Sequence, residues 1–158
     1  MHSASTLTFL DGLSEEEWVL HGSPNSCDYL WPSDPEQDHL IPEYNRKAVY
    51  GTCLVDIAVL YATIRTPSED WGWRFIDDLY HPHILIVGPE RLHVSQGYIH
   101  LVKRSAFIDF VLEGLTCLAY KEVKSEQEFI VYPSILELLI RQRRIVVMSY
   151  EEYARNQR

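Results

Sequence analysis

Apolar and polar positions alternate or cluster along this chain in a way that changes period several times, and each change marks an element. WVLHGS (residues 18–23) reads as a short strand after the acidic SEEE turn, and AVYGT (residues 48–52) as a second. Leu54, Ile57, Ala58, Tyr61 and Ala62 then fall at helical spacing, with Thr52 as the predicted N-cap and one face predicted to pack on a sheet. Five strand-like runs follow: HILIVG (83–88), GYIHLVKR (97–104), LTCLAYKEV (115–123), EFIVY (128–132) and RIVVMSY (144–150). SILELLIRQ (134–142), between the last two, has the period of a helix. The stretch PNSCDYLWPSDPEQDHLIPEYN (24–45) is rich in Pro, Asp and Asn and reads as a long loop, and residues 67–83, with Trp71 and Trp73, as another.

Many strands and few helices predict an α+β domain, with two packed sheets and a cleft between them. No repeat, linker or low-complexity tract divides the 158 residues, so one domain over residues 1–158 is expected. Composition is ordinary for a globular fold, at 46% hydrophobic and 23% charged. No apolar run approaches the roughly 18 residues of a membrane span, and the N-terminus lacks the basic start and apolar stretch of a signal peptide. The expected location is cytoplasmic. Cys27, Cys53 and Cys117 are an odd set without CxxC spacing, which predicts reduced, packed thiols.

The net charge of −9 is unevenly spread. Residues 1–43 hold nine acids and no Lys or Arg, while residues 44–158 carry 14 charges of each sign. An acidic first third argues against a polyanion crossing it, so nucleic acid is not an expected partner. The Arg141, Arg143, Arg144 cluster is too small to change that.

One local feature asks for a cause. Glu128 leads directly into Phe129-Ile130-Val131-Tyr132, a run that reads as buried on both faces, and a carboxylate placed there must be paired, solvated or used. Two other features are of the same kind. His21-Gly22-Ser23 ends the first strand, and Tyr50 on the second strand is followed eleven residues later by Tyr61 on the helix.

In order and local sequence these three features resemble the ADP-ribosyltransferases of the diphtheria-toxin and poly(ADP-ribose) polymerase type, whose signature is His, Tyr and Glu on three strands. His21-Gly22-Ser23 is similar to that family's H-G-S/T element, and Tyr50 with Tyr61 matches its spaced pair of tyrosines. EFIVYP from Glu128 is similar to its E-Y-I-V-Y-D strand, with a helix following. The resemblance implies split mixed sheets around a central NAD cleft and NAD as a substrate, with no metal. His21 would bond a ribose hydroxyl, Gly22 would offer backbone groups to the carboxamide with Ser23 nearby, Tyr50 and Tyr61 would stack on the nicotinamide, and Glu128 would steady the ribose. His21, Tyr50 and Glu128 are therefore the implied catalytic set. Implied partners are NAD, a protein or other macromolecular acceptor and, for a toxin-like enzyme, an antidote protein.

The chemistry has its own logic. Nicotinamide leaves as a neutral ring, so departure needs no strong acid, and the positive charge that grows on the ribose resembles that of glycoside hydrolysis. A fixed carboxylate suits that charge, and in a dry site such preorganisation contributes several kcal/mol. The chain departs from the family pattern at Gly51-Thr52, where an aromatic and a small residue are usual, and at Ala58, where Ser is common. Strand alternation would put Glu126 beside Glu128, the E-x-E of arginine-directed relatives, although those use another first-strand residue. A silent binding module that kept the fold and an NAD glycohydrolase are the alternatives. His81-Pro82-His83 has no third ligand at useful spacing, Cys53 would need a base beside it in space, and neither a P-loop nor GxGxxG is present.

Overall fold

Three strands that are remote in sequence form the sheet on which the rest is built. In the computed structural model, which describes residues 3–34, 46–76 and 83–157, the chain runs α1 (Ser3–Asp11), β1 (Trp18–Ser23), β2 (Tyr29–Leu30), β3 (Val49–Gly51), α2 (Val55–Thr63), β4 (Gly72–Ile76), β5 (His83–Gly88) and β6 (Gly97–Lys103). It continues through β7 (Asp109–Val111), β8 (Thr116–Ala119), β9 (Val123–Lys124), β10 (Gln127–Val131), α3 (Pro133–Arg141), β11 (Ile145–Ser149) and α4 (Tyr150–Asn156). The fold is mixed α+β, with four small sheets among the described residues: β1-β6-β10, β11-β5-β4, β3-β8-β7 and β2-β9. Among the described residues, the strand pairings are antiparallel except β5 with β11.

The β1-β6-β10 sheet carries a different core on each face. Leu20, Ile99, Leu101, Phe129 and Val131 belong to a cluster with Ile57 and Leu60 of α2, Leu7 and Leu10 of α1, and Ile135 and Leu139 of α3. Val19 and Val102, one residue out of phase, join Val49, Cys117 and Ala119 of the β3-β8-β7 sheet with Leu30, Phe107 and Val123. The period of two in β1 and β6 thus assigns each side chain to one core or the other.

Helix α2 is buried along nearly its whole length. It reaches the sheet through two glycines: a Cβ on Gly22 would stand 2.0 Å from the Ala58 carbonyl oxygen, and one on Gly97 would stand 1.7 Å from that of Ala62. Backbone therefore lies on backbone, and the small Ala58 and Ala62 are the helix residues at the contact. Thr52 is not the N-cap; that position falls to Leu54, whose N–H donates to Thr52 Oγ1 at 3.1 Å.

Asp56, in the first turn of α2, is buried and pairs with Arg144, which also holds Asp11 at the end of α1 through two bonds of 2.8 Å. Burial pushes the Asp56 carboxyl up, and the guanidinium opposes that. Arg144→Met is expected to cost about 2 kcal/mol in a urea titration, because Asp56 would be left buried without its partner; uptake of a proton by Asp56 limits the loss. A change within about 0.5 kcal/mol would mean that the bridge contributes nothing net.

Several expectations need correction. Trp73 lies not in a loop but in β4, paired with β5 opposite Ile86, and Trp71 immediately precedes that strand. The run 115–123 breaks into β8 and β9. Strand β10 is buried on one face only, since Ile130 is 45% exposed, as is Tyr132 just beyond the strand. Helices α1 and α4 and strand β7 were not anticipated. The parts of the expected loops at residues 35–45 and 77–82, including His81 and Pro82 of the His-Pro-His motif, lie outside the described residues. Among the described residues, no helix is long and apolar enough to cross a membrane.

Candidate functional site

Antiparallel register brings three of the chain's ionisable side chains into one row. His21 of β1 stands opposite His100 of β6, and Glu128 of β10 stands opposite the same His100. Directly opposed residues project to the same face, so the two imidazoles and the carboxylate share the side that carries Val19 and Val102. The ring centroids of His21 and His100 are 6.0 Å apart, and His100 Nδ1 lies 3.6 Å from Glu128 Oε2. Glu128 is placed here because Phe129, its neighbour, is committed to the opposite core.

The row ends where two sheets part. One bridge joins β1 to the residue just after β3: Leu20 N–H donates to Thr52 O at 2.9 Å and Thr52 N–H donates to Leu20 O at 2.8 Å. A continued ladder would next pair Gly22 with Tyr50. Instead, His21 Nδ1–H donates to the Tyr50 carbonyl at 2.6 Å, an assignment that follows because a carbonyl only accepts. Since Leu20 turns its backbone groups toward β3, alternation turns those of Gly22 to the same outer edge, just beyond the end of the ladder.

The loop after β1 folds back over the row. Ser26 Oγ donates to both oxygens of Glu128, at 2.7 and 2.9 Å, and Cys27 N–H donates to Oε2 at 3.1 Å. The Asn25 carbonyl accepts from His100 Nε2 at 3.2 Å, which leaves Nδ1 of the neutral ring to accept from Ser125 Oγ at 2.9 Å. Cys27 Sγ stands 3.9 Å from His100 Nε2. Ser23 Oγ shapes the turn by accepting from Asn25 N–H at 3.1 Å.

The two tyrosines go to different surroundings. Tyr50 is half-buried, and its phenol donates to the Arg46 carbonyl. Tyr61, 47% exposed on α2, accepts from Trp73 Nε1 at 3.1 Å, with its ring centroid 6.4 Å from that of Trp71. Of the sequence-predicted residues, the structure therefore brings together His21 and Glu128 through His100, with Gly22, Ser23 and the Tyr50 backbone adjoining. It places Tyr61 on the helix that crosses Gly22 at Ala58. Glu126 precedes β10, is exposed, and bonds through its N–H to Leu101 O at 2.8 Å. Shallow depressions of about 420 Å³ along Ala4, Ser5, Thr8 and Phe9, and of about 200 Å³ by Trp73, Arg74 and Tyr153, lie apart from this row.

His100 is the residue that sequence reasoning missed. It is fully buried in the middle of β6, and the signal was available: a histidine inside the otherwise apolar run YIHLV requires partners. Burial lowers the proton affinity of both imidazoles. For His21, the Tyr50 carbonyl opposes this and His100 adds to it; for His100, the Asn25 carbonyl and Glu128 oppose it. Both folded values lie below the unfolded 6.5, so the unfolded chain binds more protons. Stability from this pair is complete above about pH 6.5 and is lost as pH falls from there toward the folded values, by at most about 1.4 kcal/mol per pH unit for each ring. Thermal melts between pH 8 and 5 should fall in that window and flatten in His100→Gln. Parallel curves for the two proteins would exclude His100 as a source.

Comparison with family models, with curated proteins and with solved structures finds no match for this chain. Among the described residues, no group of three or more His, Cys, Asp or Glu side chains could hold a metal ion.

Proposed function

We propose that this chain is an NAD-dependent ADP-ribosyltransferase that binds NAD where β1 and β3 part, releases nicotinamide and passes ADP-ribose to a macromolecular acceptor. The observation that carries the proposal is the row His21, His100, Glu128, which sets the histidine and the glutamate of the H-Y-E resemblance on one face of one sheet, with the Tyr50 carbonyl bonded to His21. In this reading the parted β1-β6-β10 and β3-β8-β7 sheets form an ADP-ribosyltransferase-like split fold with an NAD cleft. The Gly22 N–H and C=O bind the carboxamide, while helix α2 fills the space that a side chain on Gly22 would take. For Tyr50 and Tyr61 to flank the ring, the one must leave the Arg46 carbonyl and the other Trp73 Nε1, and contacts of this kind then contribute roughly 0.5–1.5 kcal/mol each. His21, its tautomer fixed by the Tyr50 carbonyl, offers Nε2 to a ribose hydroxyl. Glu128 stabilises the cation that develops as the glycosidic bond breaks.

A second reading has its own support. Ser26, Cys27 and His100 already surround the Glu128 carboxylate, as they would in a binding module that kept the fold without the chemistry. The enzyme requires the Ser26-Cys27 turn to yield the carboxylate; the silent module does not. Incubation with NAD labelled in both the nicotinamide and the adenylate halves separates the readings. Nicotinamide release with transfer of adenylate label to protein supports the transferase, release with free ADP-ribose supports a glycohydrolase, and no release at all supports the silent module.

A further inference from the structure

Away from the row, a second cluster brings together two of the three cysteines and a guanidinium. Register places Cys117 of β8 opposite Gly51, so Cys53, two residues further along, lies diagonally across from it. The Cys53 N–H donates to the Gly114 carbonyl at 2.8 Å, which fixes the end of β3 against the turn before β8. Gly114 has φ +94°, and a Cβ there would come within 3.0 Å of Cys53 Sγ, so the turn passes close to the sulfur. The two Sγ atoms are 3.8 Å apart. Arg104 Nη1 stands 3.6 Å from Cys53 Sγ and is itself anchored by the Glu15 carbonyl at 2.8 Å and by the Phe110 ring, 4.1 Å below its Cζ.

We propose that Cys53 and Cys117 form a redox-active dithiol, with Cys53 the attacking sulfur and Cys117 the resolving one, closed to a disulfide by a hydroperoxide. The half-buried Cys53 is reachable, while Cys117 is sealed in the core, which is the division of labour that such a pair needs. The ionisable groups around Cys53 agree. The hydrogen bond with Cys117, whose S–H also reaches the Gly114 carbonyl at 3.6 Å, and the Arg104 charge bring Cys53 down to about 7, against burial and Glu15, while Cys117 is pushed up by its bond to Cys53 and by burial. Cys27 is a contrast within the same chain, because burial and the charges of Glu128 and Asp28 push its thiol up. A thiolate is the reactive form, so Cys53 leads.

The steps balance. The Cys53 thiolate attacks the peroxide O–O bond, taking one oxygen as sulfenic acid while the other leaves as an alcohol (as water when the oxidant is hydrogen peroxide) after gaining a proton. The Cys117 sulfur then attacks the sulfenic sulfur, expelling water with the Cys117 proton. Two thiols lose two electrons and the peroxide gains them. Closure requires the sulfurs to move from 3.8 Å to a bond of about 2.0 Å.

The test uses the full chain and hydrogen peroxide, followed by denaturation, alkylation with iodoacetamide and peptide mass spectrometry. The expected product has lost two hydrogens, links the Cys53 and Cys117 peptides, leaves Cys27 alkylated and reopens with dithiothreitol. Without peroxide, alkylation of the native protein at pH 7 should be at least about tenfold faster at Cys53 than at Cys27, with a rate midpoint near pH 7. In Cys117→Ser, dimedone should trap Cys53 as the sulfenic acid. Recovery of both thiols alkylated after peroxide, a link that involves Cys27, or Cys53 oxidised to sulfinic acid with Cys117 left free would each overturn the proposal. The wild-type measurement decides even if the variant does not fold.

Discussion

Gly97→Ala is expected to lower the melting temperature by about 6–12 °C. The added carbon would lie 1.7 Å from the Ala62 carbonyl oxygen, 2.6 Å from its carbon and 2.9 Å from Ser23 O. All three are backbone atoms, from α2 and the end of β1, and none can rotate away. Helix α2 must lift from the sheet, which separates Ala58 from Gly22 and disturbs the core that Leu60 and Ile99 share. Overpacking costs about 1–3 kcal/mol where side chains can adjust; with backbone on both sides about 3 kcal/mol or more is expected. Melting followed by circular dichroism measures it. A midpoint within about 1 °C of wild type would mean that helix and sheet do not lie this close.

Glu128→Gln should leave the fold in place and remove at least about a hundredfold of the nicotinamide-release rate, if the proposed activity is correct. Glutamine has the same length, and its oxygen at the Oε2 position can accept from both Ser26 Oγ and Cys27 N–H, so the turn over the row has no reason to open. What it loses is the charge that would meet the ribose cation. Preorganised groups of that kind contribute about 10²–10³ in rate. Undiminished release would place the chemistry away from Glu128. A matching melting curve is part of the prediction, because a collapse of the fold would lower the rate for a different reason.

Neither substitution is obvious from composition, and the contrast shows which parts of this protein were legible. The strong periodic runs were: β1 coincides with the expected residues 18–23, and β5, β6, β10, β11 and α3 fall within a residue or two of the patterns that predicted them. Helix α4 had an available signal, since Ser149 caps it by accepting from Glu152 N–H at 3.1 Å, the S-x-x-E spacing of a capping box. Helix α1 had almost none. SASTLTFLD is poor in strong helix formers, and burial of Leu7 and Leu10 against the α2 and α3 cluster accompanies its helical form. β4 was hidden because GWRFI does not alternate cleanly, and its pairing with β5 is a tertiary fact.

The amino-acid order by itself determined an α+β chain, the acidic first third, a helix with one face toward a sheet, and the His, Tyr and Glu whose spacing resembles a known signature. Which of these meet was decided only in three dimensions, because sheet register joins residues regardless of how far apart they lie in the chain. That register inserted His100 between His21 and Glu128, folded Ser26 onto the carboxylate, and set Cys53 beside Cys117 and Arg104. Periodicity says which face a side chain takes; only the pairing of strands says what it finds there.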